Sequence, residues 1–310
     1  MNALRLTNVC MVEPAAFGFN TETAVTNRFQ HTASDDAGWI ASAARAEFAA
    51  LVAALRAAGI GVAVVSDSAQ PAKPDAVFPN NWVSFHSDGT VVLYPMQSAA
   101  RRAERREAVI DAVKSQLEFI ERRRIDLTTE ERKGRFLEGT GSLVLDHAAR
   151  VVYACRSPRT DESLVREWAR QMHYEPCMFD AATPDGTPVY HTNVVLWIGA
   201  GVAGIGLDWI PAAQRAALRS RLSAGRQVLR LRGEQLQAFA GNMLELAAAD
   251  GHRHLVMSAT AARSLDADQK QRLQQAGVAP LVSAIPTIER IGGGSVRCML
   301  AEVPVAERAH

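Results

Sequence analysis

Cys298 sits in the segment Gly292-Gly293-Gly294-Ser295-Val296-Arg297-Cys298-Met299-Leu300, where a glycine run joins a short apolar strand carrying one thiol. A lone cysteine in apolar surroundings is ordinarily a buried, inert side chain. Three adjacent glycines change that reading, because they let another group approach the backbone closely and leave N–H groups unhindered for an oxyanion or a substrate. A nucleophilic thiol also needs a partner that favours its charged form, which a nearby imidazolium supplies and an apolar core cannot. The candidate is His191, within Val189-Tyr190-His191-Thr192-Asn193-Val194-Val195-Leu196-Trp197. Read alone, a histidine on an apolar strand is a satisfied core residue. No short protease motif relates it to Cys298, so the fold must supply their proximity.

Two acids stand in similar places. Glu138, in Phe136-Leu137-Glu138-Gly139-Thr140-Gly141-Ser142, is a charge at an apolar, glycine-flanked strand start, costly there unless paired or functional; a solvated turn is the alternative. Asp75 precedes Ala76-Val77-Phe78 and follows Pro74, which strengthens the case for a simple turn. Three other patterns carry no chemistry. Gly199-Ala200-Gly201-Val202-Ala203-Gly204 matches a dinucleotide fingerprint, but residues 205–209 read as a second hairpin strand ending at Pro211, not as a helix that holds a pyrophosphate. Arg101-Arg102-Ala103-Glu104-Arg105-Arg106-Glu107 interleaves charges at helical spacing without aromatic partners, which reads as a solvated helix face and not a nucleic-acid patch. His252-Arg253-His254 has no CxxC or HExxH company, so no metal is expected.

The elements that must position these residues repeat. Residues 35–58 are rich in alanine with apolar residues at helical spacing, which predicts a helix that starts near Ser34 or Asp35 and stops at Gly59; a strand at 60–65 follows. A second stretch opens at Asp75-Ala76-Val77-Phe78-Pro79-Asn80-Asn81-Trp82 and continues with a strand at 90–94, a helix at 101–119 and a strand at 124–127. A third opens at Phe136, with a hairpin strand at 151–154 and a helix at 161–172. A fourth opens at Val189 and a fifth at Phe239-Ala240-Gly241-Asn242-Met243. Each reads strand, strand, helix, strand. Repeats of roughly 50–60 residues, each too small to bury its own apolar face, point to an α+β chain closed into a five-fold pseudosymmetric propeller of ββαβ units. A two-layer α/β sheet is the alternative. In the propeller the strand starts converge on the axis, and Asp75, Glu138, His191 and Asn242 would line one central pocket.

With 310 residues, 48% of them hydrophobic, and a formal net charge of +1, the chain can bury a sizeable core and is read as a single catalytic domain over residues 1–310. The balance of 34 basic and 33 acidic residues gives no electrostatic reason to expect nucleic acid, an anionic membrane or a strongly acidic partner. Cys10, Cys155, Cys177 and Cys298 lie far apart, without the dense pairing of a secreted scaffold, and are expected as free thiols in a reducing compartment. Residues 1–6 lack an apolar leader and no stretch approaches the ~20 apolar residues of a membrane helix, so the expected location is cytoplasmic.

Taken together, Phe78-Pro79-Asn80-Asn81-Trp82, Phe136-Leu137-Glu138-Gly139-Thr140-Gly141-Ser142, His191-Thr192-Asn193, Gly241-Asn242-Met243-Leu244 and Arg297-Cys298-Met299 resemble the arginine deiminase and amidinotransferase (pentein) superfamily. The resemblance covers nearly the whole chain and is closest to the citrulline-utilisation hydrolases. It implies the propeller fold, a small amino acid as substrate, and neither cofactor nor metal; a homo-oligomer is compatible with it. Carried over position by position, it makes Cys298 the nucleophile, His191 the acid/base, Glu138 the carboxylate that orients substrate nitrogen and imidazole, and Asp75 a substrate-binding acid. Ser157-Pro158-Arg159-Thr160 resembles the family's Ser-x-Arg-Thr segment and assigns Arg159 to an α-carboxylate, which a planar guanidinium fits. Asn80, Asn81, Asn193 and Asn242 join the substrate-binding set.

Departures from the pattern bear on the substrate. Guanidine-acting relatives carry a carboxylate two residues after the histidine and another at the end of the Phe-containing motif, where this chain has Asn193 and Asn81. Two amides would leave a buried guanidinium underpaired, whereas a neutral ureido group offers C=O and N–H groups that amides satisfy. The resemblance therefore implies hydrolysis of citrulline to ornithine, ammonia and carbon dioxide through an S-carbamoyl enzyme, with donors near the glycine run on the oxyanion. Arginine deiminase, dimethylarginine hydrolase and amidinotransferase chemistry stay open. So does a noncatalytic binding protein on the same fold, although it would have no use for a coincident thiol, imidazole and carboxylate. Arg297, beside Cys298 on a strand, is expected to face the opposite way.

Overall fold

The computed structural model describes residues 6–32 and 35–305, and these form fifteen strands in five three-stranded sheets. β1 (Thr7–Glu13) runs parallel to β2 (Val62–Ser66), with the helix Ala37–Ala57 crossing between them. The next four sheets share one pattern, an antiparallel hairpin whose second strand pairs in parallel with a third. They are β3 (Val83–Phe85), β4 (Thr90–Leu93) and β5 (Arg123–Asp126); β6 (Val144–Asp146), β7 (Val151–Cys155) and β8 (Glu175–Phe179); β9 (Leu196–Ile198), β10 (Val202–Ile205) and β11 (Gln227–Arg230); and β12 (Leu244–Ala247), β13 (Arg253–Ser258) and β14 (Val278–Ser283). Parallel partners need a crossover, and the helices Glu107–Gln116, Glu162–Met172, Ala212–Leu222 and Ala267–Gln275 supply it. β15 (Ala301–Pro304) then returns antiparallel to β1 and completes the first sheet, with Cys10 opposite Ala301.

Neighbouring sheets meet through these hairpin and closing strands: β15 packs on β3, β6 on β9, β9 on β12, and β12 on β1. The ββαβ propeller is therefore the observed fold, and the two-layer sheet is excluded. Core side chains fill the space between each sheet and its helices. The helix Ala37–Ala57 shows why the sequence folds this way. Asp36 caps it through Gly38 and Trp39 N–H groups, and its stripe of Ile40, Ala44, Phe48, Leu51 and Leu55 packs with Val9, Val62 and Ile288. The start expected at Ser34 lies outside the described residues, and the cap is Asp36, not Asp35. By length and composition alone this helix could cross a membrane, contrary to the expectation that no stretch comes near that mark; here its apolar stripe is spent on the core. The expected lack of a leader falls on residues 1–5, outside those described, apart from Leu6.

Two further expectations are corrected. The strand at 205–209 is shorter and earlier, Val202–Ile205, and Leu207–Trp209 is a helical turn; the glycine-rich 199–201 forms the hairpin turn. The charged stretch 101–119 is not one solvated helix. Arg105 adopts an extended conformation that splits it into a short turn, Ala100–Glu104, and the helix Glu107–Gln116. Arg101 and Glu104 are buried, because each supplies the other's counter-charge.

The strand starts carry the feature that builds the site. Pro79–Asn81, Gly139–Ser142, Thr192–Val194 and Val296–Met299 are tight helical turns, each entering a strand of a different sheet. The first packs on the last and on the second, and the second packs on the third. Glycine permits these approaches: a Cβ at Gly139, whose φ is +46°, would lie 2.1 Å from the Asn80 carbonyl oxygen, and one at Gly241 would lie 1.9 Å from that of Val194. Asn242 completes the circle, its side-chain N–H donating to the Asn193 carbonyl at 3.2 Å. Cys298 and His191 therefore belong to turns and not to the strands expected for them, which puts both at the converging ends.

Candidate active site

Cys298 and His191 line one cavity of about 20 Å³ together with Asp75, Asn81, Arg101, Arg159, Tyr190 and residues 292–294. That is room for about one water-sized group. A larger groove of about 930 Å³ opens beside β14, but no thiol or carboxylate lines it. The sulfur meets two amides: Asn242 Nδ2 at 3.3 Å and Asn193 Nδ2 at 3.6 Å. Arg297 turns away to the Leu300 carbonyl and Glu302. That direction was expected, although the helical turn and not strand alternation produces it.

Behind the imidazole, His191 Nε2 lies 2.8 Å from Glu138 Oε2. Glu138 is fully buried and also accepts from Gln97 N–H at 3.0 Å and from Arg159 Nη1 at 3.4 Å. Burial pushes its carboxyl up, but the Arg159 guanidinium and the His191 hydrogen bond outweigh that and hold it below the usual carboxylate range. Burial pushes His191 down to about 4 against the opposing pull of Glu138. The resting ring is thus a neutral imidazole, where the sequence suggested an imidazolium. An ionised carboxylate can only accept, so Nε2 carries the hydrogen and Nδ1 keeps its lone pair.

Asp75 and Asn81 are tied together through a residue the sequence reading dismissed. Arg101 Nη1 donates to Asn81 Oδ1 at 2.8 Å, Arg101 Nε lies 3.7 Å from Asp75 Oδ2, and Nε and Nη2 donate to Glu104 at 2.9 Å each. Asn80 does not face the cavity; its side chain donates to Thr140 Oγ1 at 3.3 Å and accepts from Asn81 Nδ2 at 3.0 Å, so it supports Asn81. Asn193 and Asn242 reach the site through the sulfur, and Glu138 through His191.

A strap of residues 20–31, also missed, covers the cavity. Asn20 and Thr23 donate to Asp75 Oδ2 at 2.8 and 3.2 Å. Arg159 donates to the Thr23 carbonyl at 2.9 Å and to Thr26 Oγ1 at 2.6 Å. Asn27 reaches the carbonyls of Gly292 and Gly293 at 3.4 and 3.3 Å, and Tyr190 donates to the latter at 2.9 Å. The Gly293 N–H is spent on Glu289 O. The glycine run thus offers mainly carbonyls and close approach, and the donors nearest the sulfur are the two asparagines. Among the described residues, the buried polar atoms without a hydrogen-bond partner include Asp75 Oδ1 and Asn193 Oδ1. Both accept, so a ligand bearing N–H groups would satisfy them. No group of three His, Cys, Asp or Glu among the described residues gathers to hold a metal ion.

Residues 13–305 match the family model of N,N dimethylarginine dimethylhydrolase, eukaryotic. A search of curated proteins finds no match. Among solved structures, the substrate-bound N-terminal domain of ArgZ, an arginine dihydrolase from the ornithine-ammonia cycle in Cyanobacteria, superposes with a TM-score of 0.72 at 17% identity, over 97% of this chain and 98% of that domain. Apo ArgZ gives 0.74 at 16% identity over 98% of this chain, which spans only 41% of the ArgZ chain. A dimethylarginine dimethylaminohydrolase adduct with S-methyl-L-thiocitrulline gives 0.64 at 12% identity, over 96% of this chain and 99% of that one. At such identities these neighbours speak to the fold. The family match speaks to membership: this chain belongs to the N,N dimethylarginine dimethylhydrolase family, within the arginine deiminase and amidinotransferase superfamily.

Proposed function

We propose that the chain is a cofactor-free cysteine hydrolase of a free amino acid with a terminal ureido or guanidino group, and that its substrate is citrulline. One observation carries the choice of citrulline: the polar groups touching the Cys298 sulfur are the neutral amides of Asn193 and Asn242, not carboxylates. The carbon under attack therefore sits among groups that match a neutral C=O and its N–H neighbours, and a guanidinium there would go underpaired.

In this reading Nδ1 of His191 takes the thiol proton and the sulfur attacks the ureido carbon. The bond to the side-chain nitrogen breaks, and the imidazolium returns its proton to that nitrogen, releasing ornithine. His191 then deprotonates water, which attacks the S-carbamoyl carbon; the C–S bond breaks, the thiol is restored, and the carbamate decomposes to ammonia and carbon dioxide. The side-chain N–H groups of Asn193 and Asn242 hold the oxyanion in both steps. Arg159 takes the α-carboxylate: its Nε and Nη2 partners at Thr23 and Thr26 are neutral and exchangeable, while Nη1 stays on Glu138. Arg101 is held by the Glu104 carboxylate and is not displaced so easily. The five sheets act as a single cytoplasmic catalytic domain, as the composition and cysteine usage suggest.

A second reading has its own observation. Arg101 serves both Asp75 and Glu104, and Asp75 Oδ1 has no partner. That leaves an acid free to bind a guanidinium, so that arginine itself would be hydrolysed. Incubation of the purified protein with citrulline, arginine and dimethylarginine, followed by assay of ornithine, ammonia and citrulline, separates the readings. Ornithine from citrulline supports the first. Citrulline formed from arginine, with no turnover of citrulline itself, ends it. Cys298→Ser should abolish turnover with the fold retained.

A further inference from the structure

Phe29 belongs to the strap but touches neither the thiol nor the imidazole. Its ring lies 5.3 Å from that of Phe239 and 6.3 Å, edge-on, from that of Tyr190. Each of these rings is next to a residue of the site. Tyr190 precedes His191, with ring centroids 4.7 Å apart, and its hydroxyl is bonded to the Gly293 carbonyl. Phe239 opens the turn that delivers Asn242 to the sulfur: the Asn242 N–H donates to the Phe239 carbonyl at 2.8 Å.

Phe239 is also strained. Its φ is +62°, a left-handed conformation that a bulky side chain adopts only when its surroundings enforce it. The next residue but one, Gly241, has no room for a Cβ against the Val194 carbonyl. The turn is thus pressed on one side against the Thr192–Val194 turn and held on the other by Phe29, itself part-buried against a core cluster that includes Tyr190, Val194 and Ala240. Other strap contacts, from Asn20, Thr23, Thr26 and Asn27, are polar and reach Asp75, Arg159 and residues 292–293, with Arg159 itself lying over the Tyr190 ring at 5.0 Å.

We propose that Phe29 is a positioning residue: by wedging between Tyr190 and Phe239 it makes seating of the strap and alignment of Asn242 and His191 about Cys298 a single event. The inference rests on the reading of Cys298 as nucleophile and His191 as its base. Removing the wedge frees the strained turn, so that the sulfur loses its amide neighbour more often and the strap lifts more often.

The test compares the wild-type chain with Phe29→Ala, Phe29→Leu and Phe239→Gly. Steady-state kinetics with citrulline and arginine, the rate of iodoacetamide alkylation at Cys298 mapped by peptide mass, and thermal melting are measured on each. Phe29→Ala and Phe239→Gly are expected to lower kcat about 10- to 100-fold, to raise the Cys298 alkylation rate several-fold, and to melt cooperatively, with Phe29→Leu recovering most of both losses. A Phe29→Ala chain with wild-type kcat and wild-type alkylation overturns the proposal. So does a loss that Phe29→Leu fails to recover while melting is unchanged. If Phe29→Ala does not fold, Phe239→Gly decides by the same two readouts. If the wild type turns over neither amino acid, the functional reading falls, and the alkylation rates alone decide on the wedge.

Discussion

Glu138 holds Nε2 of His191 at 2.8 Å, and in doing so selects the ring nitrogen that can move a proton. The carboxylate accepts, Nε2 donates, and Nδ1 is left basic. The same oxygen of Glu138 is 3.4 Å from Arg159, so one buried charge fixes both the base and the cation assigned to the substrate carboxylate. Glu138→Gln keeps the shape and removes the charge. It is expected to lower kcat ~10²–10⁴-fold, the span of general acid–base catalysis, and to destabilise the fold by ~3–5 kcal/mol, because Arg159 is left buried without its counter-ion. Kinetics and denaturant melts measure the two separately; unchanged kcat would remove Glu138 from the mechanism.

pH acts on this pair in a stated direction. Burial lowers His191 from 6.5 to about 4, so between those values the unfolded chain binds the imidazole proton and the native chain does not. The contribution of His191 therefore grows as pH rises across the window and is lost as pH falls through it. The acid limb of kcat/KM should accordingly lie below 6.5, and a limb at or above that value would contradict a neutral resting imidazole.

Glu104 works the other way. Burial raises it from 4.5 to about 7 despite the opposing charge of Arg101, so the native chain binds its proton more tightly and this contribution is lost as pH rises from about 4.5 to about 7. Between pH 4.5 and 6.5 the two residues offset each other. Denaturation midpoints of Glu104→Gln should rise with pH across that interval more steeply than those of the wild type. Parallel curves would rule out the coupling.

Gly141 sits beneath the ring. A Cβ there would lie 2.7 Å from His191 Nδ1 and 2.7 Å from Asn81 Nδ2. Gly141→Ala is expected to cost ~1–3 kcal/mol of stability through overpacking and to reduce kcat by a larger factor than stability alone explains, because the methyl group contacts the basic nitrogen. Equal kcat per folded molecule would show that Nδ1 is not the working atom.

Asn193→Asp places a carboxylate where the Cys298 sulfur now meets an amide. Preference for arginine over citrulline, as a ratio of kcat/KM values, should rise about tenfold or more, which corresponds to about 1.4 kcal/mol of discrimination. A ratio that stays fixed would detach Asn193 from the choice of substrate.

Much of this site was legible because its parts are short, glycine-bearing segments whose polar residues have no other reason to interrupt apolar strands. Glu138, His191 and Cys298 stood out for that reason, and the repeat of strand, strand, helix, strand told where they would converge. Arg101 was illegible for the opposite reason: it stands in a run of charges at helical spacing, the signature of a solvated face. Only the three-dimensional pairing with Asp75 and Glu104 marks it as interior; the Arg-x-x-Glu spacing was the one local hint. Asn80 and Asn81 are adjacent amides, and which of them faces the cavity depends on the phase of a three-residue turn. The strap is a mostly polar segment without periodicity, and its hydrogen-bond partners at the cavity are 52 to 266 positions away. Nothing local in the sequence encodes such contacts.

The first sheet is assembled from both sides of a seam. β15, which directly follows the Cys298 turn, seals against β1, which directly precedes the strap. Glu138, Arg159 and His191 come from the middle of the chain, and the sulfur of Cys298 reaches them from the turn just before the closing strand. On the proposed reading of Cys298 as nucleophile, the meeting of thiol and imidazole and the closing of the circle of sheets are one topological act, because the same stretch of chain carries both the sulfur and the closing strand.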